Sequence, residues 1–117
     1  HYPELIFSGQ FGEQGWWIRP REEDAEKRPR AHLVIDSLLE QHGHSEDRVL
    51  MITHGSFYIH LMRELMEIHD SNVYFELSNT AITRWEIYPN AKEQDRWVRM
   101  LVYMNRVDHL PRELVTI

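Results

Sequence analysis

A histidine closing a short apolar run and followed at once by glycine and serine is the part of this chain best suited to chemistry: Val49-Leu50-Met51-Ile52-Thr53-His54-Gly55-Ser56. The β-friendly run reads as a strand, and the amphipathic pattern from Phe57 to about Ile68 reads as the helix after a tight turn. Ligands of open α/β sheets bind beside the carboxyl ends of strands. The unpaired N–H groups and positive dipole end of the following helix favour an anion there. A histidine held against an anion site suggests phosphate chemistry. The N–H groups of Gly55 and Ser56 are candidate phosphate contacts, and the missing side chain of Gly55 allows backbone and phosphate to approach closely. A His-Gly pair alone equally suits a strand-ending turn, so the weight rests on the strand and helix around it.

The other polar side chains offer less. His42 and His44 flank Gly43, and His60 follows His54 on a different helical face. Metal sites usually need three or more convergent ligands with supporting partners, and no carboxylate sits at a suitable spacing. No metal or cofactor is expected. The chain has 117 residues and no cysteine, which excludes disulfides and thiolate sites and suits a reducing cytosol. Its formal charge of −6 argues against a general nucleic-acid partner, which needs a basic face. No apolar run approaches a membrane span and no signal peptide is visible, so a cytoplasmic protein without a membrane partner is expected. The first residues, His1-Tyr2-Pro3, lack an initiator methionine, which fits processing as well as a piece cut from a longer protein.

Several elements must position His54. His1 to Pro20 is turn-rich, and Trp16-Trp17 read as a packing anchor, with a substrate-facing lid as the alternative. A helix is expected from Arg21 to about Gln41, with Glu22, Glu23 and Asp24 at its positive end and Ala31, Val34, Ile35, Leu38 and Leu39 at helical spacing. Pro29 is awkward inside it, so the helix either starts near Pro29 or kinks there. Gly43 ends it. Val49 to Thr53 is continuously apolar, as expected of a strand covered on both faces. After a loop at His69-Asp70-Ser71-Asn72, strands are expected at Ala81 to Tyr88 and Trp97 to Met104, with Pro89 to Asp95 as a polar hairpin connection.

Taken in order, these segments resemble the second half of the histidine phosphatase superfamily, which includes the cofactor-dependent phosphoglycerate mutases. Val49 to Gly55 looks like the family's second catalytic-histidine strand. Ser78-Asn79-Thr80-Ala81-Ile82-Thr83 is similar to the asparagine-containing strand that follows. Val102 to Leu110, with Asn105 and His109-Leu110, resembles the closing segment, and Gly15-Trp16-Trp17 with Arg19-Pro20 resembles one bacterial branch. The family's signature Arg-His-Gly is absent. Arg30-Ala31-His32 is the nearest echo, but it lies in a helical pattern and lacks the glycine.

The resemblance implies a phosphohistidine mechanism without metal. A histidine upstream of this chain attacks phosphorus, and water or another acceptor resolves the intermediate. His54 is the second catalytic histidine, stabilising the charge that builds on the phosphoryl oxygens. Asn79 either lines the pocket or forms a turn, and His109 is expected to tie down the C-terminal segment. Residues 1–117 then form the C-terminal portion of a single α/β domain, a three-layer α/β/α arrangement with a mostly parallel sheet. The strand near Val49 is expected at its centre, with the last two strands an antiparallel ribbon at the margin. The substrate is a small phosphomonoester, and a homo-oligomer completing the site stays open. The alternatives are a binding domain that lost the chemistry and a mutase-type phosphotransferase, between which and a phosphatase the absence of a sheltering insertion favours the phosphatase.

Overall fold

The computed structural model describes residues 22–70 and 72–117. The expectations for His1 to Arg21, the tryptophan pair included, fall outside that span, as does Ser71.

Helix α1 spans Asp24–His42. It starts three residues later than expected, because Glu23 takes the cap position and the Glu26 carboxylate accepts its N–H at 2.8 Å. This is the reciprocal arm of a capping box. Glu22 lies outside the helix and pairs with Arg30, at 2.5 Å to Nε and 2.7 Å to Nη2. The helix runs through Pro29 rather than starting there. Helix α2 spans Gly55–Leu65, about a turn shorter than expected at its far end. Glu67 has a positive φ of 56°, and the N–H of Ile68 returns to the Arg63 carbonyl at 2.8 Å, which stops the helix.

The two helices share one apolar cluster: Ala31 and Ile35 from α1 against Phe57 and Leu61 from α2, bordered by Val34, Leu39 and Leu65. Its members recur at helical spacing, so it is the tertiary form of the pattern read from the sequence. Polar bridges rim it. His32 contacts Glu64 at 2.8 Å and Asp36 at 3.2 Å, tying α1 to α2.

Strands β1 (Ile82–Pro89) and β2 (Trp97–Arg106) form the expected antiparallel ribbon. The register shifts on either side of Arg84, where Ile82 faces Arg106 but Arg84 faces Tyr103. That is a β-bulge, and Asn105 takes a left-handed φ of 53° there. Asparagine tolerates this region better than most residues. The hairpin is closed by the Asn90 N–H on the Arg96 carbonyl at 2.8 Å, with Asp95 also at positive φ.

The main departure concerns Val49 to Thr53. Expected as a central buried strand, the run belongs to no sheet among the described residues. Leu50 is 83% and Ile52 89% exposed, and Val49 and Met51 are exposed as well. A strand exists through its ladder, and the described strands pair only with each other. The fold is α/β, with two packed helices and a two-stranded ribbon among the described residues.

Candidate functional site around His54

His54 is the cap residue of α2, with extended backbone at φ −107° and ψ 155°. Its carbonyl accepts the Tyr58 N–H at 2.9 Å, the first bond of the helix. The imidazole makes no capping bond to the helix and is exposed. Gly55 and Ser56, the first two helical residues, are exposed too. The three residues thus meet solvent at the positive end of α2, where backbone N–H groups lack helical acceptors. This arrangement can hold an anion beside a histidine ring. A Cβ placed on Gly55 would have nothing within 4 Å. The fold itself therefore does not require glycine at this position.

The first turn of α2 is fixed from two sides. Phe57 packs into the helix-helix cluster, and the Arg30 guanidinium lies 3.5 Å from its ring centroid. The Glu22 hydrogen bonds hold the Arg30 pKa above its ordinary value. On the other side the Tyr58 hydroxyl shares a 2.9 Å hydrogen bond with Thr83 Oγ1 on β1. Burial pushes the Tyr58 phenol upward in pKa, with Thr83 pulling weakly the other way. His60, one turn further, is shifted down by burial first and then by the neighbouring Arg63 and Lys27 charges.

Asn79 stands differently from the other chosen residues. It is exposed in a turn ahead of β1, its N–H bonds the Thr116 carbonyl at 2.8 Å, and its Nδ2 donates to Thr116 Oγ1 at 2.8 Å. Both bonds run to Thr116 and fasten the C-terminal segment to the turn ahead of β1. His109, expected to do that fastening, is exposed. The residue that sequence reasoning quoted without giving a role is Asn105. Its Oδ1 accepts the Ser78 N–H at 2.8 Å, and its own N–H reaches Thr83 Oγ1 at 3.2 Å. An asparagine near the end of a strand was the available signal, since that residue type suits a left-handed bulge.

Two cavities border these elements. The smaller, about 360 Å³, lies between α1 and the 49–53 run, and Arg30, Thr53 and Phe57 bring it to the residue preceding His54. The larger, about 640 Å³, lies between the end of α2 and the hairpin and includes none of the residues chosen from the sequence. The His54 turn is the better candidate because it pairs an exposed histidine with a helix N-terminus. Among the described residues no group of three or more His, Asp or Glu side chains is placed to hold a metal.

A family model, histidine phosphatase superfamily (branch 1), matches residues 2–99. The chain belongs to the histidine phosphatase superfamily. The match includes the His54 turn and the Asn79 turn, and it ends inside β2, ahead of the closing segment that carries Asn105 and His109. Membership supports phosphatase- or mutase-type activity in general terms. No curated protein and no solved structure matches the chain. Among the described residues, no helix of this superfamily member is long and apolar enough to cross a membrane.

Proposed function

We propose that this histidine phosphatase superfamily member works in the hydrolysis of small phosphomonoesters through a phosphohistidine intermediate, without a metal. The nucleophilic histidine lies upstream of residue 1, and His54 stabilises the phosphoryl transition state. The observation that carries this reading is an exposed His54 at the N-terminus of α2, within the family match. As negative charge builds on the nonbridging oxygens, an N–H of the imidazole and the N–H groups of Gly55 and Ser56 donate to them. The work is electrostatic, and these donors need little reorganisation during reaction.

The same reading gives Val49 to Thr53 its place. An apolar run exposed on both faces has the composition of a strand covered on both faces. In the complete domain it is the central strand of a mostly parallel sheet in three layers, with the β1–β2 ribbon at the margin. Residues 1–117 are then the C-terminal portion of that domain. The absence of Arg-His-Gly from these residues favours a second reading, a binding domain that has lost the chemistry.

Hydrolysis of p-nitrophenyl phosphate by the full-length protein, with EDTA present, separates the two. Metal-independent turnover lost in His54→Ala is the expected result. A folded protein with no turnover sinks the phosphatase reading and leaves the binding domain or a mutase of narrow specificity.

A further inference from the structure

Resting on the reading of His54 just given, we propose that Tyr58 is a positioning residue for His54, holding the first turn of α2 against the β1–β2 ribbon through its hydroxyl. Ahead of His54, residues 46–53 pair with neither of the described strands, so the contacts seen at His54 come from its C-terminal side. The imidazole has no capping bond of its own. His54 is placed instead by the helix that follows, through the Tyr58 N–H on its carbonyl.

That helix turn is clamped by two unlike contacts. Phe57 packs on Ala31 and Ile35, and such apolar contact sets depth without direction. Tyr58 is only 6% exposed, and its hydroxyl meets Thr83 Oγ1 across the gap to β1. A hydrogen bond is directional, so this contact sets rotation and slide of the turn. Thr83 is itself held, because its Oγ1 also accepts the Asn105 N–H at the bulge. Asn105 in turn grips Ser78 through the backbone N–H at 2.8 Å and through Oγ at 3.4 Å. The chain of contacts runs from the Ser78 turn through the bulge to the residue one turn after His54. The upward pKa of the phenol keeps it protonated through the working range, so the link does not titrate away. A misplacement of about 1 Å at a reacting group costs on the order of a hundredfold in rate, which makes such a link matter.

The test uses the full-length protein with p-nitrophenyl phosphate, comparing wild type, His54→Ala, Tyr58→Phe, Thr83→Ser and Thr83→Val. Tyr58→Phe and Thr83→Val are each expected to lower kcat about tenfold to a hundredfold with KM nearly unchanged. Thr83→Ser should keep kcat near wild type, and Tyr58→Phe combined with Thr83→Val should be no worse than either alone. Protection of the residue-58 amide against hydrogen exchange, which reports the bond to the His54 carbonyl, should fall at least about tenfold in Tyr58→Phe. Wild-type kcat in Tyr58→Phe, beside an inactive His54→Ala, overturns the positioning role and leaves the reading of His54 standing. Turnover retained in His54→Ala overturns that reading and the catalytic consequence drawn here. In that case unchanged amide protection in Tyr58→Phe would also remove the structural link, whereas lost protection would support it.

Discussion

At the scale of single residues, His54 and Gly55 are positions where the demands of folding and of chemistry separate. His54 is exposed and its side chain caps nothing, so His54→Ala should leave the melting temperature nearly unchanged. Turnover of the complete enzyme should nonetheless fall by about two to three orders of magnitude. Near-normal turnover would remove His54 from the mechanism. Gly55 has open space where a Cβ would sit, so Gly55→Ala should fold and gain up to about 1 kcal/mol from helix propensity. If phosphate approaches the backbone there, the same change should raise KM in steady-state assays. An unchanged KM would show that no close approach occurs. Gly43 is the opposite case. A Cβ on it would run into the Trp97 ring and the Leu39 carbonyl, and its φ of −62° is ordinary. Its smallness is therefore a matter of contact, and Gly43→Ala should cost about 1–3 kcal/mol in denaturant unfolding.

At the scale of elements, the α1–α2 pair has a titratable rim. The Glu64 hydrogen bond, then the charges of Asp36 and Glu64, hold the His32 imidazole above its ordinary pKa. A raised pKa means that the folded state binds the proton more tightly. The stabilisation is fully present below the unfolded value of about 6.5 and is lost as pH rises through the folded one. His60, shifted down by burial, acts in the other direction: its contribution is present above the unfolded value and lost as pH falls through the lower folded one. The two oppose each other, so the useful quantity is the melting-temperature difference between wild type and His32→Gln. That difference should be larger at pH 5.5 than at pH 8, to the wild type's advantage; a pH-independent difference would count against the bridge. In the ribbon, Asn105→Ala should cost about 2–4 kcal/mol, combining left-handed strain with an unpaired Ser78 N–H. Asn105→Gly should recover the strain and not the hydrogen bonds.

At the scale of the whole molecule, Val49 to Ile52 is an exposed apolar run whose backbone pairs with neither of the described strands. Such an edge invites pairing with another chain. The 117-residue chain should therefore self-associate as its concentration rises in light scattering, and Ile52→Lys should reduce the association. Equal association in both would place the sticky surface elsewhere. The helices were legible before any coordinates because their apolar residues recur at the helical period, and the ribbon because β-branched and aromatic runs flank a polar turn. The 49–53 run reads as a strand by composition, yet it forms no ladder with the described strands. A strand depends on partners remote in sequence, which composition does not supply.

The candidate site divides in the same way. His54, Gly55 and Ser56 were readable because a strand-like apolar run, a His-Gly step and a helix start are contiguous, and local order alone sets their juxtaposition. Helix positions, turn chemistry and the absence of thiol chemistry followed equally from residue types and spacing. The Tyr58–Thr83–Asn105 chain was not readable, since it joins three segments through a bulge whose register no local pattern announces. The contact between Asn79 and Thr116 was hidden for the same reason. Periodicity reports which face a residue takes within its own element, whereas hydrogen bonds between elements depend on how those elements come to rest against each other.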